Sequence, residues 1–218
     1  MTKKNGFTLA ETLITLMIIG VIASMTIPGL MYNARNRDNV GRLKKMSGVL
    51  STATGLIQVE EGPVDGWEWA SEKDIIALYK PKFKVMQDCG TGPGCFPENP
   101  KALDGSDLPD YNSDAGYHKL ILSDGSMLAL KSCADGGCQP ADYGLDPASI
   151  LLGGFIVDVN GLREPNEGGK DIFYFGLVKD KGVQAGGSYS TTGCSLKNPS
   201  DGLNCAALVI KEDKISYW

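Results

Sequence analysis

The 218-residue chain has 26 acidic and 21 basic residues, a formal charge of −5, and 42% hydrophobic content. That is enough apolar material for a real core and excludes a disordered chain, while the acidic balance argues against a nucleic-acid footprint over the whole protein, so no specific nucleic-acid partner is expected. Six cysteines, all in the half after residue 88, and 28 glycines indicate an oxidised, loop-rich part that belongs outside the cytoplasm, where disulfides persist.

The chain opens on a short polar leader, residues 1–6, MTKKNG, with Lys3 and Lys4. Residues 7–31 follow as an almost wholly apolar run whose one charge is Glu11. As a helix rising about 1.5 Å per residue it spans about 37 Å, enough for a hydrocarbon core of roughly 30 Å. An ordinary secretory signal has a small-residue cleavage site after its apolar stretch, and no A-x-A pattern follows this one, so the anchor is expected to be retained. Thr8 and Glu11 have the S/T-x-x-E spacing of a capping box. Pro28 removes a backbone donor and leaves the carbonyl of Ser24 without its helical partner; with Gly29 behind it, a bend or local melting is expected there.

The segment Lys3-Lys4-Asn5-Gly6-Phe7-Thr8-Leu9-Ala10-Glu11-Thr12-Leu13 resembles the N-terminus of type IV pilins and type II secretion pseudopilins, and Pro28 extends the likeness. The resemblance is specific over about residues 3–31 and implies a set of roles. A membrane peptidase would cut between Gly6 and Phe7 on the cytoplasmic side, Phe7 would then be N-methylated, and Glu11 would serve assembly by pairing with the Phe7 ammonium of a neighbouring subunit. An isolated carboxylate in hydrocarbon costs several kcal/mol, which is a physical reason to expect such a partner. The implied partners are other pilin or pseudopilin subunits, the prepilin peptidase and methylase, the inner-membrane assembly platform and the lipid bilayer. The implied location is the bacterial inner membrane, with a cytoplasmic N-terminus and an extracytoplasmic head, and then a periplasmic pseudopilus or a surface pilus. One feature opposes this orientation: the outer flank, with Arg35, Arg37, Arg42, Lys44 and Lys45, is more basic than the leader, and the positive-inside rule alone favours the reverse. The cleavage motif and the downstream cysteines decide for a cytoplasmic N-terminus.

Residues 32–62 continue outward as an amphipathic helix. Val40, Leu43, Met46, Val49, Leu50, Ala53, Leu56 and Ile57 recur at helical spacing and make one apolar face, and Glu60-Glu61-Gly62-Pro63 stops the helix. The head is expected over residues 63–218. A short helix is predicted over residues 72–79, flanked by Trp67 and Trp69 as packing residues. From His118 the period changes to that of antiparallel strands: 118–123 and 126–131 around Asp124-Gly125, 155–159 leading into a second hairpin at Asn160-Gly161, 173–178, and a last pair, 207–211 and 214–217, around Glu212-Asp213. The economical architecture is an α+β fold with four to six strands packed on the amphipathic half of the long helix, which is also the fold that the resemblance implies.

The cysteines fall into neighbours, Cys89 with Cys95, Cys133 with Cys138 and Cys194 with Cys205, and local pairing around turn-forming sequence is expected. Cys194–Cys205 resembles the disulfide-bounded loop of many pilins. A zinc site is disfavoured, since the chain has no C-x-x-C pair and His118 is its one histidine. Asp158, Asn160, Asn166 and Asp171, with Glu164 or Glu167 nearby, gather hard oxygen ligands in a glycine-rich loop, the chemistry that calcium selects. The competing reading is a hairpin followed by an ordinary polar loop. No phosphate loop, nucleophile elbow or H-E-x-x-H pair is present, and Asp104, Asp107, Asp110 and Asp114 read as solvated loop carboxylates, so catalysis is not expected. The expected function is a structural subunit of a type IV pilus or type II secretion pseudopilus. The alternative is a minor pilin whose cysteine-bounded loops bind a surface, DNA or secreted cargo.

Overall fold

The computed structural model describes residues 6, 8–67, 72–133 and 137–217. Phe7 and Trp69 lie outside them. By internal contacts the chain divides into two units, residues 1–38 and 39–218, each described by itself.

A single helix, α1, is assigned from Leu9 to Glu61, so the expected helical run is present on both sides of Pro28 and no melting occurs there. In the first unit every large apolar side chain from Leu9 to Met31 is exposed. The second half of α1 has most of the predicted buried face, with Val40, Leu43, Met46, Leu50, Ala53 and Ile57 in the core and Val49 half-buried against it, but Leu56, expected on the same face, is exposed. Gly62 ends the helix at φ 85°, its N–H donating to the carbonyl of Gln58 at 3.1 Å, a left-handed cap that glycine adopts without a side-chain penalty. Pro63 cannot continue the ladder.

The head is built on a six-stranded antiparallel meander, β1 (Val85–Gly90), β2 (His118–Leu122), β3 (Met127–Ser132), β4 (Leu151–Asp158), β5 (Ile172–Val178) and β6 (Gly182–Ala185), each strand beside its sequence neighbour. Both faces of this sheet are covered. Leu120, Leu128, Phe155, Phe173 and Phe175 point into a core shared with α1 and the short helix α2 (Glu72–Tyr79). Ile121, Ala129, Ile156, Ile172 and Tyr174 point the other way, into a second core roofed by Phe96, Tyr111, Tyr117 and Leu145 from the loops. Double coverage explains why β5 is buried along its whole length, a pattern that does not alternate because neither face meets water.

The α+β fold, α2 and the Asp124-Gly125 turn match the sequence reading. Three expectations are corrected. Residues 207–211 are not a strand; Ala206–Glu212 forms a helix, α3, with Ala206 and Val209 one turn apart in the core and Asp213 ending it at φ 56°. A short apolar run does not distinguish strand from helix by period alone. No strand is assigned to 214–217 either, although Ile215 and Tyr217 are buried. Asn160-Gly161 does not close a two-residue hairpin, because β4 ends at Asp158 and β5 starts at Ile172. Finally, β1, β6 and the first turn of β4 were not expected; β1 is irregular, with register shifts against β2, and β6 has four residues.

Candidate assembly interface

From Leu9 to Met31 the N-terminal unit offers a nearly continuous apolar surface with one carboxylate, Glu11. Glu11 and Thr8 form the expected capping box: the main-chain N–H and the hydroxyl of Thr8 both donate to Glu11 Oε2, each at 2.8 Å, and the N–H of Glu11 donates to Thr8 Oγ1 at 3.3 Å. Farther along, the hydroxyls of Thr12, Thr15, Ser24 and Thr26 donate to carbonyls three or four residues back, at 2.7 to 3.0 Å. Each of these hydroxyls is therefore satisfied within the helix, which is the condition for placing it in hydrocarbon. By length and composition this helix is able to cross a membrane. Gly6, at the expected cut, is exposed, with open space where a side chain would stand.

In the head, disulfides join Cys89 to Cys95, Cys133 to Cys138 and Cys194 to Cys205, the three local pairs that were expected. The first two pin loops against the outer core of the sheet. The third ties residue 194 to the turn that leads into α3, and both of its cysteines belong to the core on the α1 side.

The loop between β4 and β5 gathers the four oxygen-bearing residues singled out from sequence. Asp158 and Asp171 are fully buried. Oδ1 of Asp158 accepts the N–H groups of Asn160 (3.0 Å) and Gly161 (2.7 Å). Asp171 accepts from the N–H of Glu167 (2.6 Å), the N–H of Asn166 (3.0 Å) and Asn160 Nδ2 (3.1 Å). Burial, and then the charge of Asp171, pushes the Asp158 carboxyl well above the ordinary carboxylate range; burial moves Asp171 up to about 6. Asn160 Oδ1 is buried without a hydrogen-bond partner. The Asn166 amide faces the carbonyls of Gly161 and Arg163 at 3.2 and 3.3 Å and donates to both when its nitrogen points inward. With its oxygen inward, three oxygens would face one another, which only a cation makes favourable. No group of three or more His, Cys, Asp or Glu side chains suited to a metal occurs among the described residues, so this set rests on two carboxylates supplemented by amide and carbonyl oxygens.

One buried charge had no sequence signal. Lys119, on β2, is fully buried, and its ammonium donates to the carbonyls of Thr91 (2.8 Å), Asn112 (3.0 Å) and Asp114 (2.7 Å), binding the Cys89–Cys95 loop to the 110–117 loop.

Residues 1–27 match the family model described as the prokaryotic N-terminal methylation motif. This chain carries that methylation motif in its N-terminal segment. It is 37% identical over 54 residues, 25% of its length, to type II secretion system core protein G of Pectobacterium carotovorum subsp. carotovorum, and equally to the core protein G of Escherichia coli (strain K12). Those matches span 33% and 35% of the two relatives, about a third of their length. No solved structure matches the chain. The matched methylation segment thus overlaps the exposed apolar stretch of α1 and contains its carboxylate, Glu11.

Proposed function

We propose that this chain is a structural subunit of a type IV pilus or type II secretion pseudopilus. It is cut between Gly6 and Phe7, N-methylated at Phe7, and assembled through its N-terminal helix. The observation that carries this reading is the start of α1: a helix exposed over every large apolar residue from Leu9 to Met31, overlapping the matched methylation segment of residues 1–27, whose one carboxylate in that stretch, Glu11, is held by its own chain at Thr8. A plain anchor has no use for a carboxylate in hydrocarbon, whereas a subunit that must take up a defined register beside its neighbours has one. In an assembly the Phe7 ammonium of an adjacent copy is the natural partner for Glu11.

The partners follow from this reading: the prepilin peptidase and methylase, the inner-membrane assembly platform, and further subunits, with the head outside the cytoplasm, where its disulfides persist. The function is packing and not catalysis. Substituting Glu11→Val tests the reading. The variant should still be cut and inserted in the membrane but should be missing from sheared or cross-linked higher-order species; normal assembly of this variant would contradict it.

The β4–β5 loop supports a second, local proposal. Asp158, Asp171, Asn160 and Asn166 would hold a calcium ion, which would supply the positive charge that two adjacent buried carboxylates need. The unpaired Asn160 Oδ1 is the observation in its favour.

A further inference from the structure

We infer that the head carries a head-to-tail contact for a second copy of this chain, in which the end of α1 around Val59 and Glu61 seats in a lysine-rimmed groove beside β1 of the next copy. The inference rests on the subunit reading above and names the surfaces through which heads would meet.

The groove, about 350 Å³ in volume, has Val49, Phe83 and Leu122 as its floor and Lys45, Lys84 and Ser123 on its rim. Two lysines along it already have partners: Lys45 donates to Asp124 at 2.6 Å and Lys82 to Glu60 at 2.5 Å. Lys84 is exposed and makes no ion pair among the described residues. The groove is therefore an apolar trough with one unbalanced positive charge at its lip.

The matching surface lies farther along the same helix. Val59 is 85% exposed, the highest value of any large apolar side chain described, and Leu56, one turn back, is 49% exposed. Glu61, just beyond, is exposed and also has no ion pair among the described residues. The apolar ridge and its free carboxylate complement the trough and its free ammonium.

Charge along α1 sets the stagger. Arg35, Arg37, Arg42, Lys44 and Lys45 make its first outer part basic, and Glu60 and Glu61 make its end acidic. Parallel copies in register would place like charges side by side. Sliding one copy by ten residues, from Val49 to Val59, or about 15 Å at about 1.5 Å per residue, sets acidic end against basic groove; this neighbour is therefore not the copy whose Phe7 pairs with Glu11, which is offset by only four residues. The two patches differ, so the contact does not close on itself and propagates as an open filament. It is small beside the roughly 1,200–2,000 Å² of a stable soluble complex, so it would act on subunits already held together by their N-terminal helices.

Cysteine cross-linking of the full chain in its membrane tests the inference; all six native cysteines are in disulfides, so an added thiol has no native partner. Co-expressed Val59→Cys and Ser123→Cys chains should give an oxidant-induced dimer, and both changes in one chain should give a ladder. Lys84→Glu should cut the ladder several-fold, and adding Glu61→Lys should restore it. A dimer from Val59→Cys alone would mean a symmetric contact and would overturn the inference. So would the absence of cross-links in subunits that still enter fibres, which leaves the subunit reading standing. If no higher-order species forms by shearing or native mass measurement, the subunit reading falls and takes the contact with it.

Discussion

The main-chain N–H and the hydroxyl of Thr8 converge on one oxygen of Glu11, each at 2.8 Å, so the carboxylate of the exposed apolar stretch is held within its own chain. Thr8→Val keeps the branched shape and the N–H but deletes the hydroxyl. Losing a capping side chain costs about 0.5–2 kcal/mol. The expected result is faster amide exchange in the first turn of α1 and reduced, not abolished, assembly. Amide exchange and the yield of sheared or cross-linked species check it; unchanged exchange would show that the box contributes nothing.

Calcium should stabilise the head through Asp158 and Asp171. A ligand present at about 100 times its dissociation constant contributes about 2.7 kcal/mol, and a domain of this size gains about 2–4 °C per kcal/mol, so the expected rise in Tm is roughly 5–10 °C. Asp171→Asn should remove the rise, and a chelator should reverse it in the native chain. A flat titration would leave the loop as an ordinary polar turn.

The Lys45–Asp124 pair gives a pH dependence of defined sign. Burial alone would raise the Asp124 pKa, but hydrogen bonds from Lys45 and Ser126 outweigh it and hold the carboxyl at about 2. A depressed carboxylate stabilises the fold above its unfolded pKa of about 3.9, and that contribution is lost as pH falls toward 2. Asp124→Asn should therefore flatten the acid limb of the stability curve over that range and leave its slope near pH 7 unchanged.

Lys119→Met should be among the most damaging single changes in the head. It strips the buried carbonyl of Asn112 and the half-buried carbonyls of Thr91 and Asp114 of a shared donor, and a buried acceptor left bare costs about 1–3 kcal/mol. A loss of more than about 2 kcal/mol in denaturant unfolding is expected, with the 91–114 loops exchanging fastest.

Removing Cys194 and Cys205 together, as serines, should cost about 2–3 kcal/mol, the chain-entropy value for closing a short loop. Both cysteines sit in the core, so losses in Tm should accompany faster proteolysis of the 194–205 segment.

The long helix, its buried stripe and α2 were legible because their apolar spacing is periodic over many residues and is bounded by Gly62-Pro63 and Pro81. The cysteine pairs were legible from proximity. Lys119 was not: in His118-Lys119-Leu120-Ile121-Leu122 a lysine reads as a solvent-facing residue, and only loops distant in sequence, arriving with their carbonyls, bury it. The same loops make the second core and cover the outer face of the sheet. α3 was misread because seven residues are too few to separate the two periods. Asn160-Gly161 carried a hairpin signal, but its N–H groups turn to Asp158 and open a longer loop. The candidate calcium residues were collected by composition, while the burial of Asp158 and Asp171 emerged from tertiary packing.

Intact-mass measurement and N-terminal sequencing of the protein from its native membrane or sheared surface fraction decide whether the chain is cut between Gly6 and Phe7 and methylated. The expected product is a chain that begins at N-methylated Phe7, shortened by the six residues from Met1 to Gly6. A chain that retains Met1–Gly6 in cells with an active prepilin peptidase would contradict that cleavage and would leave α1 as a simple membrane tether.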